Sequence, residues 1–165
     1  MGNNAYVLDA NVFIEASRRY YAFDLAPGFW NSLIHYANTG QIISIDRIKQ
    51  ELDRGKDNLA QWAGRDFHHA FATTNEDEVV KSYAEIMNWV NSQEQFSDAA
   101  KAEFANDPDG WLVAYARVKE CIVVTHEVPS VEIKRKVPIP NICQAFSVQF
   151  IDTFEMLRRL RVKFM

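Results

Sequence analysis

Cysteine is scarce in this chain. Only Cys121 and Cys143 occur, both in apolar surroundings and without metal-ligand spacing, which excludes a thiolate metal centre and leaves two buried reduced thiols as the expectation. Glycine and proline are thin as well: the six glycines never cluster, and of the five prolines only Pro138 and Pro140 lie close together. No linker, internal repeat or low-complexity run divides the chain, so its 165 residues, 48% of them hydrophobic, are expected to form one domain over 1–165. Positive charge is also short. A net charge of −4 excludes a protein that coats nucleic acid non-specifically, because that affinity comes from many Lys and Arg contacts to phosphate, but it leaves a focal site open. Long apolar runs and a charged-then-apolar leader are both missing, and a soluble, unexported, cytoplasmic protein is the expectation.

What the chain does have is an alternation of short β-branched runs and amphipathic stretches. Tyr6 to Leu8 reads as a buried strand that leads through Asp9 into a helix from Val12 to Arg19. Pro27 suits a first helical turn, and Phe29, Trp30, Leu33, Ile34 and Ala37 recur at helical spacing up to Gly40. Gln41 to Ile45 predicts a strand, and the helix from Asp46 is expected to be capped by Ser44 or Asp46. Asn58 to Phe71 predicts one amphipathic helix. On it the adjacent His68 and His69 diverge and cannot chelate. Glu76, Asp77 and Glu78 suit the positive end of the next helix, and Ser97 opens another. Asp109 enters an almost wholly apolar helix, followed at once by the continuous apolar run Cys121 to Thr125, which has the character of a central parallel strand. A short helix over Asn141 to Phe146, a strand over Ser147 to Ile151 and an Asp152-x-x-Glu155 capping box close the pattern.

Four acids stand at element ends: Asp9 after the first strand, Glu51 in a short helix, Asp109 at the start of the buried helix and Glu127 after the central strand. Right-handed crossovers between parallel strands bring such ends to one edge of a sheet, the edge where open α/β sheets bind ligands. Asp9 by itself is as well suited to capping the helix that follows it. Four carboxylates together, however, would repel unless neutralised, and a hard cation such as Mg²⁺ or Mn²⁺, shared with a phosphate ester, does that. Past residue 130 the charge balance reverses, with Lys134, Arg135, Lys136, Arg158, Arg159, Arg161 and Lys163 against only Glu132, Asp152 and Glu155. This run is either a solvated surface or a polyanion-facing patch.

Val7-Leu8-Asp9-Ala10-Asn11-Val12, Ser44 with Glu51-Leu52 downstream, Asp109 with Trp111 to Ala116, and Val123-Val124-Thr125-x-Glu127 resemble the successive motifs of PIN-domain nucleases. Ile139-Pro140-Asn141 and Phe154 to Leu157 resemble the closing motif of a PIN subfamily of formerly unassigned function, so the likeness covers nearly the whole chain. The resemblance implies a three-layer α/β/α fold around a central parallel sheet of four to five strands. It also implies the Mg²⁺- or Mn²⁺-dependent endoribonuclease activity of VapC-like toxins, an RNA substrate, a cognate antitoxin protein and, as is common in that family, a homodimer. Asp9, Glu51 and Asp109 match the family's first three acids, and Glu127 stands where the fourth is usually Asp. The implied catalytic set is Asp9, Glu51, Asp109 and Glu127, with Asp9, Asp109 and Glu127 on the metal. Thr125 and Asn11 match polar positions that orient the ligands. Asp107 rivals Asp109 and is expected to assist through water, but Asp109 keeps the family's distance to Leu112. Lys134, Arg135 and Lys136 are the expected RNA contacts.

Other readings fit less well. Haloacid-dehalogenase-like phosphatases want Asp-x-Asp where this chain has Asp9-x-Asn11, and a receiver domain needs two acids at the first strand. The stronger competitor is an inactive PIN-like domain that binds RNA or protein, against which the intact set of acids argues.

Overall fold

Val7, Leu8, Val123 and Val124 are fully buried, and this explains the topology: strands apolar on both faces belong at the centre of a parallel sheet covered by helices on each side. In the computed structural model, which describes residues 4–164, five parallel strands run in the order β3-β2-β1-β4-β5. Residues 1–3 and 165, included in the expected domain, lie outside the described residues. The strands are β1 (Tyr6–Leu8), β2 (Ile42–Ile45), β3 (Phe71–Ala72), β4 (Ile122–Val124) and β5 (Phe150–Ile151). Around them lie α1 (Ala10–Glu15), α2 (Pro27–Asn38), α3 (Asp46–Asp53), α4 (Asn58–Arg65), α5 (Asp77–Ser92), α6 (Asp98–Asn106), α7 (Asp109–Lys119), α8 (Ile139–Ala145) and α9 (Thr153–Arg159), giving the expected three-layer α/β/α arrangement. Tyr6 pairs with both Ile42 and Ile122, and Leu8 with Val124. The chain therefore adds β2 and β3 on one side of β1 before returning to add β4 and β5 on the other. The gap between β1 and β4 is the topological switch point, where a crevice opens outside the carboxyl ends of the strands.

Local signals hold where they are short-range. Ser97 accepts from the Ala100 amide and Asp152 from the Glu155 amide, as capping predicts. Glu155 does not complete a reciprocal box, since its carboxylate takes the Arg159 guanidinium at 2.9 Å. Tertiary packing overrides the pattern elsewhere. The helix expected over Asn58 to Phe71 ends at Arg65, and a 3₁₀ turn over His68–Ala70 leads into β3, unforeseen as a strand. The cause is Phe67, which turns inward to stack on Trp62 with ring centroids 4.8 Å apart, after which Phe71 pairs with Ser44. Neither Ser44 nor Asp46 is the N-cap residue of α3; that position is held by Ile45. Ser44 instead donates to the Leu8 carbonyl at 2.7 Å and ties β2 to β1. The first helix begins at Ala10, not Val12, and loosens into a π-helical turn over Ala16–Tyr20. The α8 helix begins at Ile139 with Pro140 in its first turn, and the last strand is shortened to Phe150–Ile151 because Ser147 turns the chain at φ +58°.

The core on one face is aromatic. Phe13, fully buried on α1, meets Phe67 edge-on at 5.6 Å, Trp62 at 6.2 Å and Phe71 at 6.3 Å. On the other face α5, α6 and α7 close together around Gly110. A Cβ there would meet the Phe104 ring at 2.9 Å and the Tyr83 ring at 3.0 Å. Phe104 is buried and Tyr83 is held parallel to Trp111 at 3.8 Å, so neither ring can withdraw freely. Gly110→Ala therefore destabilises by about 1–2 kcal/mol in urea denaturation, overpacking outweighing the better helix propensity of alanine. An unchanged or raised midpoint would refute the tight fit.

Candidate active site

Asp9 follows β1 directly and stands at the N-cap position of α1, yet its side chain makes no capping bond. It points instead across the switch point, where its Oδ2 accepts from the Thr125 hydroxyl at 3.0 Å, while its backbone amide donates to the Val124 carbonyl. The same Thr125 oxygen accepts the Glu127 amide at 3.1 Å, so one buried hydroxyl is satisfied both as donor and as acceptor and joins the ends of β1 and β4. Plain capping thus fails to explain Asp9.

Burial is the largest influence on this carboxyl. Only 2% of Asp9 is exposed, and loss of water together with the nearby charges of Glu127 and Glu51 pushes its pKa up to about 7, against the Thr125 bond, which lowers it. Asp109, the first residue of α7, is raised well above the usual carboxylate range, first by burial and then by Asp9, Asp107 and Glu127. Asp107 rises to about 6, mainly by burial and with Glu51 adding to it, while its Oδ1 accepts the Asp109 amide at 3.0 Å. Glu51, on α3, is raised by burial. The sheet's carboxyl edge therefore brings together all four expected acids and Asp107, close enough to oppose one another's ionisation.

Positive charge enters from the loop before α8. The Lys136 ammonium lies 3.1 Å from Glu127 Oε2, and the Ile139 amide donates to Glu127 Oε1 at 2.8 Å, which restrains both oxygens of that carboxylate. Burial opposes the charge on Lys136, but Glu127, Asp109 and Asp9 outweigh it and hold the pKa above the ordinary lysine value. Lys136 is thus placed against the acids, and Lys134 and Arg135 are exposed just before it on the same loop. Asn11 is exposed on the first turn of α1, and the bond orienting Asp9 comes from Thr125.

One cation was missed from sequence. Arg47, the second residue of α3, stacks on Trp111 with its guanidinium carbon 3.8 Å from the ring centroid, and its Nε donates to Thr74 at 3.0 Å. Thr74 is anchored in turn by Asp46 at 2.9 Å. The available clue was position: Arg47 comes two residues after β2, at the same sheet edge as Asp9. Volume does not locate this chemistry, since a concavity of about 350 Å³ at the amino edge, lined by Tyr6, Tyr36, Gln41 and Arg159 among others, contains no carboxylate.

The donor set at the edge is all oxygen, the type that hard divalent cations take. As the side chains stand, no group of three or more His, Cys, Asp or Glu among the described residues is arranged to hold a metal ion, and Lys136 is paired with Glu127. No helix among the described residues is long and apolar enough to cross a membrane. No curated protein matches the chain. A family model described as "Domain of unknown function (DUF4411)" matches residues 6–164, and the chain belongs to that family.

Proposed function

We propose that this member of the DUF4411 family is a PIN-like, Mg²⁺- or Mn²⁺-dependent endoribonuclease, the toxin of a cytoplasmic toxin–antitoxin pair. The observation that carries the reading is Asp9: a carboxylate at the topological switch point, held by Thr125, whose pKa burial, with Glu127 and Glu51 adding to it, pushes up to about 7. Folding would not gather these charges for stability alone, because Asp9, Asp107 and Asp109 are each opposed in their ionisation by burial and by neighbouring acids. A cation recruited to the edge would relieve that repulsion.

Asp9, Asp109 and Glu127 would hold the ion, which supplies a more acidic water and stabilises charge on the non-bridging phosphate oxygens when bound. The chain's own residues do the rest. Thr125 fixes the rotamer of Asp9 and, through the Glu127 amide, the start of the loop after β4. Glu51 and Asp107, both raised in pKa, would accept a proton from the attacking water. Lys136 balances the acids before substrate arrives and offers a phosphate contact once displaced from Glu127. Lys134 and Arg135 supply flanking phosphate contacts from the exposed loop. A cognate antitoxin would cover the acidic edge, and a homodimer remains part of the proposal.

The competing reading is an inactive domain that binds RNA or protein. It is favoured by the Lys136 to Glu127 pair, which already neutralises one of the proposed ligands. Incubation of the purified protein with structured and unstructured RNA, in Mg²⁺, in Mn²⁺ and in chelator, separates the two. Expected is cleavage that needs the ion and is lost in Asp109→Asn; cleavage that survives chelation, or none in either metal, would sink the nuclease reading. Thr125→Val, which removes the donor to Asp9 at little change in volume, is expected to lower metal affinity or the cleavage rate by about 10–100-fold.

A further inference from the structure

The sheet's carboxyl edge continues past the acids into an exposed aromatic surface. Tyr20 ends the π-helical turn after α1, His126 lies between Thr125 and Glu127, and Phe154 is the second residue of α9. From these distant positions the three rings converge, with centroids 6.5 Å apart for Tyr20 and His126, 6.0 Å for Tyr20 and Phe154, and 6.2 Å for His126 and Phe154. The imidazole is pinned, its Nε2 lying 2.9 Å from the hydroxyl of buried Thr153.

These rings are not overflow from the core. Phe13, Phe29 and Phe67 are wholly buried, whereas Tyr20 is 55% and Phe154 38% exposed. The π-helical turn is built on the Tyr21 amide, which reaches back five residues to the Ala16 carbonyl at 2.8 Å, and its last residue, Tyr20, meets His126 and Phe154. Such turns concentrate at functional sites. On α9, Arg158 is exposed four residues after Phe154, the spacing that shares a helix face.

We propose that Tyr20, His126 and Phe154 form a stacking platform for an unpaired nucleobase flanking the phosphate brought to Asp9. The inference rests on the proposed nuclease reading. It follows from continuity, since His126 is one residue from both Thr125, which orients Asp9, and Glu127. The strand end that holds Asp9 through Thr125 thus carries the platform's His126 as its next residue. Every base has a π-face that an exposed aromatic can take, worth enough per base to decide affinity, whereas in a duplex those faces are covered by neighbouring bases. Arg158 supplies the phosphate contact that a purely apolar partner segment would not need.

The test is binding read by fluorescence anisotropy in Ca²⁺, which separates association from cleavage. The probes are a short labelled RNA strand, the same strand annealed to its complement, and a strand of equal length with every base removed and all phosphates kept. Wild type is expected to bind the intact strand about tenfold more tightly than either the abasic strand or the duplex. Tyr20→Ala and Phe154→Ala are expected to bind the intact strand as weakly as wild type binds the abasic one, with no further loss on the abasic strand. Val131→Ser, at an apolar position 89% exposed outside the trio, leaves all affinities unchanged. Equal wild-type affinity for intact and abasic strands overturns the platform. So does a variant that weakens both strands alike, or leaves their ratio untouched as a surface for a protein partner would. The abasic comparison uses wild type alone and does not depend on variant folding. A protein that binds in this pattern but never cuts in Mg²⁺ or Mn²⁺ fails the nuclease reading and keeps the platform; one that cuts with no base dependence does the reverse.

Discussion

Without divalent cations, Asp9→Asn raises the melting temperature at pH 8 by about 5 °C while abolishing metal-dependent cleavage. The sign follows from linkage. The folded-state pKa of Asp9 is raised from 3.8 to about 7, so the folded protein holds a proton that the unfolded chain releases. The associated stability is fully present below about pH 4 and is lost as the pH rises through 7. At pH 8 the ionised, buried carboxylate costs on the order of 4 kcal/mol relative to its protonated form. Asparagine removes that charge and keeps an oxygen for the Thr125 hydroxyl, but it buries an amide N–H₂ where the carboxylate had a second acceptor oxygen, which takes back about 1–3 kcal/mol. The remaining gain is the expected rise, and it vanishes or reverses near pH 4, where the folded Asp9 is protonated and the unfolded carboxyl is close to its own pKa of 3.8, so little of the ionisation cost is left. Added Mg²⁺ or Mn²⁺ should raise the wild-type melting temperature and leave the variant unmoved, because only a folded state that binds the ion is stabilised by it. Thermal melts of both proteins at pH 4, 6 and 8, with and without metal, check every part. A variant less stable than wild type at pH 8 would show that the carboxylate is satisfied as it stands.

Phe13→Ala is expected to have the largest effect on stability, about 3–5 kcal/mol by urea denaturation. The ring sits four residues after Asp9 on α1 and against Trp62, Phe67 and Phe71, so it joins the helix that follows β1 to the segment that ends in β3. Aromatic side chains locked edge-on by several neighbours leave a cavity that cannot collapse. Phe13→Leu, which keeps much of the volume, should cost far less. Leu25, 78% exposed, provides the contrast: Leu25→Ser is expected to stay within about 0.5 kcal/mol of wild type. A loss below about 2 kcal/mol for Phe13→Ala would mean that the cluster repacks and that α1 is held by something else.

Much of the molecule was legible before its fold was known. The β-branched runs at Tyr6 to Leu8, Ile42 to Ile45 and Ile122 to Val124 became the three central strands, because a strand buried on both faces must be apolar throughout. Asp9, Asp109 and Glu127 were placed at element ends by local patterning, and those ends meet because parallel crossovers bring all carboxyl ends to one edge. Illegible were the features made by packing: β3 hidden inside an apparent helix by Phe67, and the position of Ser44, which ties two strands together instead of capping α3.

By itself, then, the sequence determined the elements, the parallel sheet and the edge at which the acids gather, since periodicity, turn residues and burial preference act over a few residues. The tertiary structure alone decided which side chains touch. It set the Thr125 hydroxyl on Asp9 across 116 residues, Lys136 against Glu127, Arg47 on Trp111 and the exposed rings of Tyr20 and Phe154 around the half-buried His126. Those contacts depend on how layers close over one another, and no local pattern encodes the final ångström of that approach.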